Sequence, residues 1–347
     1  MRRLSTVSFI MALVLAVLVG IRPAAIRAQA TPDVAANEAL AHRYYDELLA
    51  TGDPASFDAL LTPDFVIHLE AQELDGPAAF RDFVVGLRTG FPDLTYTVDD
   101  IFGEGDKVAT RATAVGTQTG VFNGIPPTGR PVAVHDLILF RIAGDRIAEV
   151  WVNGDIFGLL QQLGVIPGPA VPGTPVPWTG ASPVASAVAT GEQDVEANKA
   201  LARRWYDEVA SQGNLDVIDE LFAPDHVNHQ AGAAPGEGSG PAGQKQLVTA
   251  FRGAFPDLSV SVEDTVGQGD RVLVRYVFTG TQTGAYNGIP PTGKRVEVTG
   301  MAIWRFANGK AAETWVIFDI FGLLQQLGVI PGPAATPVAT PAATPSS

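Results

Sequence analysis

The sequence predicts an α+β fold made of two tandem domains, each with helices packed on a curved antiparallel sheet. Three observations predict it. The chain repeats itself over about 135 residues. Each repeat begins with helical periodicity and continues with strand periodicity. A segment rich in Pro, Ala, Thr and Ser separates the two repeats, and this composition is typical of a linker.

The repeat relates Val34–Ala170 to Val195–Ala334. Tyr45-Asp46-Glu47 recurs 161 positions later as Tyr206-Asp207-Glu208. An insertion of three residues around Ala233–Ser239 raises the offset to 164 for the remainder. A repeat of this length indicates duplicated domains rather than a solenoid of small units. We predict these divisions of the chain: signal peptide 1–30, first domain 31–168, linker 169–193, second domain 194–332 and disordered tail 333–347.

Each repeat is predicted to begin with three helices. Leu40, Tyr44 and Leu48 recur at spacings of four and indicate an amphipathic helix over Asn37–Ala50. A short helix is expected over Phe57–Leu61. A third is expected from Pro77, a residue favoured in the first turn of a helix, to about residue 89.

The pattern then changes to the period of two that is typical of strands. Gly105-Asp106 and Gly144-Asp145 are turn signals that join neighbouring strands into hairpins. Alternation predicts one sheet face buried under the helices, which can enclose a pocket. The predicted strands, and the short helix after them, are Leu94–Ile101, Lys107–Thr117, Pro131–Ile142, Arg146–Val152 and Ile156–Leu163.

The N-terminus has the features of a secretory signal. Arg2 and Arg3 precede an apolar run over Phe9–Ile21, and Ala28-Gln29-Ala30 is a small-residue cleavage site. An uncleaved anchor is the alternative. We therefore expect a secreted or extracytoplasmic protein, with no membrane contact beyond this segment.

Charge and composition exclude several classes of function. The net charge is −14, and removing the four Arg of segment 1–30 would make it −18. So acidic a surface repels phosphate backbones, which argues against nucleic-acid binding. The chain contains no Cys, which excludes disulfides, thiolate nucleophiles and Cys-based zinc sites.

Several motifs resemble the SnoaL-like polyketide cyclase (ester cyclase) family of the nuclear transport factor 2-like superfamily. In the first copy they include a Gly-rich block followed by Asn-Gly-Ile-Pro-Pro-Thr-Gly, and the second copy repeats each of them. The resemblance implies a cone-shaped α+β barrel with an apolar pocket, and an intramolecular aldol condensation that uses no metal or cofactor. The motifs of the first copy are Gly116–Gly120, Asn123–Gly129, Glu149-Val150-Trp151 and Asp155 through Gly164.

The resemblance also implies an acid/base Asp after the last strand, which corresponds to Asp155 and Asp319. A carboxylate in an apolar pocket is desolvated, so its pKa rises and it becomes a stronger base once ionised. The alternative is that each Asp caps the following helix. Both roles stay open, although a carboxylate that accepts backbone N–H bonds has a lowered pKa.

His68 and His229 occupy equivalent positions and are further catalytic candidates, as groups that bind a carbonyl or shuttle a proton. A structural His in a loop is the alternative. His226 with His229 and Asp225 could form a metal site, but the first copy has Phe65 in place of His226, so we predict no metal. Candidate pocket-lining residues, each with core packing as the alternative, are Tyr45, Tyr206, Trp151 and Trp315.

Three functional hypotheses follow. The first is a cofactor-independent cyclase or related acid/base enzyme acting on a small apolar carbonyl compound. The second is a non-catalytic, secreted small-molecule-binding module that uses the same pocket. The third concerns assembly: the linker would let the two copies pair within one chain as a pseudo-dimer.

Overall fold

The computed structural model describes residues 33–70, 72–166, 194–231 and 236–330. The predicted signal segment 1–30, the linker 169–193 and the tail 333–347 lie outside these residues. Within the described ranges, no helix has the length and apolarity needed to cross a membrane.

Copy one (33–166) packs four helices on one six-stranded sheet. The strand order is β2-β1-β6-β5-β4-β3, with β1 parallel to β6 and the other neighbours antiparallel. The elements of copy one are α1 (Val34–Arg43), α2 (Pro54–Leu60), β1 (Leu61–Leu69), β2 (Gln72–Asp75), α3 (Gly76–Gly90), β3 (Thr95–Glu104), β4 (Lys107–Thr117), β5 (Pro131–Ala143), β6 (Arg146–Gly154) and α4 (Ile156–Gln162).

Copy two (194–330) repeats this arrangement with the strand order β7-β11-β10-β9-β8. Its elements are α5 (Val195–Arg204), a 3-10 turn (Leu215–Val217), α6 (Ile218–Leu221), β7 (Phe222–Gln230), α7 (Gly240–Ala254), β8 (Ser259–Gln268), β9 (Arg271–Thr281), β10 (Arg295–Ala307), β11 (Lys310–Phe318) and α8 (Ile320–Leu327). The predicted α+β class with two tandem domains is confirmed.

The first helix of each copy begins at an Asp cap and ends in π-helical geometry. Asp33 Oδ1 accepts from the Ala36 amide at 3.2 Å, which satisfies an N-terminal N–H that lacks a partner within the helix. α1 continues as a π-helical segment over Tyr44–Leu49, and α5 does so over Trp205–Ser211. Such segments are rare and often lie at functional sites, and both begin with an aromatic residue that lines a cavity.

The sequence analysis did not assign β1 and β2. Pro63 and Asp64 are exposed and interrupt the alternation of β1, and the register between β1 and β6 shifts between Leu61 and Val66. β1 also pairs in parallel with β6, a strand far away in sequence. The two residues between β1 and β2, 70–71, contain no Gly, Asn or Asp turn signal, and β1 has no uninterrupted period of two, so the sequence did not mark this edge of the sheet.

The outer faces of the two sheets contact each other through a shared apolar cluster that includes Phe102, Leu139, Met301 and Ile303. Polar contacts around this cluster are reciprocal, meaning that equivalent residues exchange partners. The guanidinium of Arg111 lies 4.7 Å from the ring centroid of Trp315, and that of Arg275 lies 5.0 Å from that of Trp151.

Two ion pairs between the copies follow the same rule. Lys107 Nζ lies 2.6 Å from Asp264 Oδ2, and the equivalent residues Arg271 and Asp100 form the second pair. Exchange of equivalent partners is the geometry of a two-fold interface.

Candidate functional site

Copy one contains a cavity of about 390 Å³ between the sheet and the helices. Its walls are mainly apolar, and the loop after β4 adds Phe122 and Asn123. Acidic side chains lie at one side. The apolar wall includes Ile67, Phe83, Leu87, Phe91, Val152 and Ile156, and the acidic lining residues are Glu70, Asp136 and Asp319.

Asp136 lies on the cavity face of β5, where Val132, Val134 and Ile138 also face the cavity. Its neighbours across the sheet are small, Ala112 on β4 and Gly154 on β6. A Cβ on Gly154 would lie 2.7 Å from Asp136 Oδ1. The missing side chain at position 154 therefore leaves room for the carboxyl group.

Burial raises the pKa of Asp136 from 3.8 to about 7, and the negative charge of Asp155 adds to the rise. Desolvation disfavours the ionised form, and a nearby like charge disfavours it further. A carboxyl group with a pKa near neutrality is suited to both accepting and donating a proton at neutral pH.

Glu70 follows β1 and accepts a hydrogen bond from the Gly154 amide. Burial raises its pKa well above the usual value, and the next contribution is the charge of Asp319 from copy two. Asp136 and Asp155 raise it by smaller amounts, while the Gly154 hydrogen bond opposes the shift.

Asp155 is half-buried and caps α4, because its Oδ1 accepts from the Gly158 amide at 2.8 Å. Desolvation raises its pKa, and the Gly158 hydrogen bond opposes this shift. Its side chain does not line the cavity, but it acts on Asp136 through charge. The capping geometry considered from sequence is therefore present, while the catalytic role stays a prediction.

Asp319 caps α8 in the same way, with its Oδ1 2.6 Å from the Gly322 amide. Desolvation raises its pKa, and the Gly322 bond opposes the shift. Its side chain lines the cavity of copy one rather than the cavity of its own copy.

His68 and His229 lie away from both cavities. Ile67 and Leu69 face the cavity of copy one, so the alternation of β1 turns His68 to the opposite face. There its imidazole stacks on Trp151 with ring centroids 5.3 Å apart, and its Nε2 lies 2.9 Å from Glu149 Oε1.

His229 repeats this arrangement, stacking on Trp315 with ring centroids 5.1 Å apart and lying 3.6 Å from Glu313. The structure therefore separates both His residues from the acidic cavity and places them among ion pairs beside the contact between the copies.

Among the four predicted pocket-lining residues, Tyr206 lines the cavity of copy two, and the other three line neither of the two described cavities. Tyr45 is buried in the core with its hydroxyl oxygen 2.6 Å from Thr110 Oγ1, and its neighbour Tyr44 lines the cavity instead. Trp151 and Trp315 lie at the contact between the copies, because strand alternation directs them to the outer face of each sheet.

Copy two contains a smaller cavity of about 110 Å³ without an acidic lining residue. Gly300 and Ala231 occupy the positions of Asp136 and Glu70. A Cβ on Gly300 would lie 2.5 Å from Tyr276 Cζ, so the Tyr276 ring fills the space of an acidic side chain. The lining is aromatic with a few neutral polar groups: Trp205, Tyr206, Tyr276, Phe278, Trp304, Phe318, Asn228, Gln230, Gln244 and Thr314.

Sequence reasoning missed Glu70 and Asp136. One signal was available for Asp136, since it shares the period-two face of β5 with Val132, Val134 and Ile138. An acidic residue on the apolar face of a strand is a candidate site residue. Glu70 carried no comparable signal, because its strand was not assigned. Across the described ranges, no group of three or more Asp, Glu and His side chains is arranged to hold a metal ion.

The model of the SnoaL-like polyketide cyclase family matches residues 39–163 and 200–327. The chain belongs to this family. Nogalonic acid methyl ester cyclase from Streptomyces nogalater is 31% identical over 117 residues, which cover 33% of this chain and 87% of that protein. Both matches support a cyclase-like function, and SnoaL-like cyclases bind small apolar substrates.

Solved structures are also similar to parts of this chain. TsrD from Streptomyces laurentii is 26% identical, with 40% of this chain and 98% of that chain covered and a TM-score of 0.37. IdmH from Streptomyces antibioticus is 34% identical, with 38% and 98% covered and a TM-score of 0.34.

Proposed function

We propose that copy one is the catalytic domain of a cofactor-independent cyclase that acts on a small apolar carbonyl compound. The observation that carries the proposal is a half-buried carboxyl group, Asp136, that lines an apolar cavity and has a pKa raised to about 7. The apolar wall binds the carbon skeleton, and the acidic side positions the reacting carbonyl groups.

The reaction is an intramolecular aldol condensation. Ionised Asp136 takes a proton from a carbon flanked by two carbonyl groups, which leaves an enolate. The enolate carbon forms a bond to a second carbonyl carbon of the same molecule, and that carbonyl oxygen receives a proton from the carboxylic acid. Asp155, the position that the family motif indicates, acts with Asp136 as a coupled pair, because its charge raises the proton affinity of Asp136.

Asp136→Asn and Asp155→Asn test this assignment, with nogalonic acid methyl ester as the probe substrate. General acid/base catalysis contributes about 10²–10⁴-fold, so we expect losses in that range for Asp136→Asn and a smaller loss for Asp155→Asn. Binding of the neutral fluorophore N-phenyl-1-naphthylamine should persist in both. Asp145→Asn, an exposed change of the same charge, is the control. Unchanged turnover in Asp136→Asn would remove this residue from the mechanism.

For copy two we propose the alternative function, a non-catalytic binding module. Its cavity has no acidic lining group, and its neutral polar residues suit a small uncharged aromatic ligand. A titration with N-phenyl-1-naphthylamine should reveal a second, weaker site that survives when the cavity of copy one is filled. A single site that disappears on filling copy one would reject this role.

We also propose that the protein is exported and that its two copies pair within one chain. The signal-like segment 1–30 supports export, and the reciprocal contacts of Arg111 and Arg275 support pairing. N-terminal sequencing of protein recovered outside the cell should begin near residue 31. Small-angle X-ray scattering should give one compact monomeric particle, whereas a two-lobed, independently tumbling profile would reject the pairing.

A further inference from the structure

The cavity of copy one is not built from copy one alone. Asp319 and Phe321, at the start of α8 in copy two, belong to its lining. The charge of Asp319 also raises the pKa of Glu70, more than that of Asp136 or Asp155 does. Both copies therefore meet at the acidic side of this cavity.

Local geometry fixes the start of α8. Asp319 Oδ1 holds the Gly322 amide at 2.6 Å, and a Cβ on Gly322 would lie 1.9 Å from Asp319 Oδ2. Only Gly at position 322 permits this cap. The reciprocal ion pairs and cation–π contacts between the sheets then fix where the capped helix lies.

The arrangement is not reciprocal. The equivalents of Asp319 and Phe321 in copy one are Asp155 and Phe157, and neither lines the cavity of copy two. Copy two also has Ala231 in place of Glu70. The contact between the copies therefore completes one cavity and leaves the other unchanged.

We infer that copy two supplies part of the substrate site of copy one, with Phe321 as a specificity-determining residue and Asp319 as the group that excludes anions from the acidic side. This inference rests on the proposed function of copy one. Phe321 adds an apolar contact for the carbon skeleton. Asp319 places a negative charge at the acidic side, where it also raises the pKa of Glu70, so the site accepts a neutral carbonyl compound in preference to its free acid.

Phe321→Ala and the matched variant Phe157→Ala test the role of Phe321 in the full chain. Both residues are half-buried Phe at equivalent positions. We expect Phe321→Ala to raise the Kd of N-phenyl-1-naphthylamine for copy one about tenfold, and to raise KM with little change in kcat, because a uniform binding contact is lost. Phe157→Ala should leave both constants unchanged. Equal effects of the two variants, or none from Phe321→Ala, would overturn the inference.

Asp319→Asn tests the exclusion of anions. Asn caps helices about as well as Asp, so α8 should keep its start. At pH 8 we expect several-fold tighter binding of 8-anilinonaphthalene-1-sulfonate, an anion, and unchanged binding of neutral N-phenyl-1-naphthylamine. Asp207→Asn removes an exposed charge from copy two and is the control. Identical anion binding in the two variants would remove Asp319 from the site.

These binding measurements do not depend on catalysis. If Asp136→Asn kept full turnover, the proposed function would fail while the Phe321 comparison still reported on the cavity wall. If Asp136→Asn abolished turnover and Phe321→Ala left binding and KM intact, the cyclase proposal would stand and the shared site would fail.

Discussion

The two cavities differ in the size of the side chains at three paired positions on neighbouring strands. In copy one, Asp136 lies between Ala112 and Gly154. In copy two, Gly300 lies between two aromatic residues, Tyr276 and Phe318. The acid is present where its neighbours are small, and it is absent where they are large.

This difference shows how two copies of one domain can share a fold while only one of them has an acidic cavity. The order of the five shared strands and the Asp caps of the first and last helices are the same in both copies, but the cavity volume falls from about 390 to about 110 Å³. The cation–π contacts between the copies do not show this difference, since equivalent residues exchange partners in them.

The largest effect is expected when Gly154 of copy one is replaced by Phe, the residue at the equivalent position of copy two. Gly154→Phe should fill the cavity and displace Asp136, because even a Cβ there would lie 2.7 Å from Oδ1. Under the proposed cyclase function, turnover of the probe substrate should fall at least 100-fold and the stronger fluorophore site should disappear, a loss comparable to removing the acid/base group.

The thermal transition of Gly154→Phe provides its control. The cavity offers room for the ring, so the variant should still unfold cooperatively near the wild-type temperature. Retained turnover in a folded Gly154→Phe protein would show that the reaction takes place elsewhere.

The reverse change introduces an acidic residue into copy two. Gly300→Asp places a carboxyl group against Tyr276, where overpacking costs about 1–3 kcal/mol and an unpaired buried polar group adds a further cost. We expect a clear fall in the free energy of unfolding measured by urea denaturation.

Adding Tyr276→Ala should restore part of that stability, because contacting residues couple by about 0.5–3 kcal/mol. The single variant Tyr276→Ala completes the cycle. Purely additive effects of the two substitutions would mean that the Tyr276 ring does not compete with an acid for this space.

The features of the fold that could be predicted from the sequence are those with local sequence signals. Helices, hairpin strands and the duplication follow from periodicity and short turns, and β4 was predicted to the residue at Lys107–Thr117. β1 was missed because its parallel partner is remote and Pro63 interrupts its pattern.

The site was harder to predict, because its residues meet only through strand order. The family motif directed attention to Asp155 and Asp319, which the structure shows as helix caps. The acids that line the cavity come from β5, the end of β1 and the other copy. No spacing along the chain brings Asp319 to Glu70; only the packing of one sheet on the other does so.

A third prediction concerns the pH dependence of folding stability, to which copy one contributes through Asp136. The folded-state pKa of Asp136 is raised to about 7 from an ordinary 3.8, so between these values the folded chain keeps a proton that the unfolded chain releases. The stabilising contribution of Asp136 is therefore complete below about pH 4 and is lost as pH rises toward 7.

One proton limits this slope to about 1.4 kcal/mol per pH unit. Glu70 and Asp155, whose pKa values are also raised, give slopes of the same sign, so the measurement is the difference between wild type and Asp136→Asn. Urea denaturation at intervals from pH 4 to 8 should show a flatter profile for the variant. Parallel profiles would show that Asp136 ionises normally.

The smallest expected effect concerns the region that the two copies share. The reciprocal pairs Lys107–Asp264 and Arg271–Asp100 lie partly exposed at the contact between the sheets, and such pairs contribute up to about 1 kcal/mol each. Lys107→Ala and Arg271→Ala should therefore cost similar small amounts, both decreasing at high salt because ions screen exposed charges. Urea denaturation at low and high salt checks this. If one variant were far more destabilising than the other, these reciprocal ion pairs would be as asymmetric as the cavities.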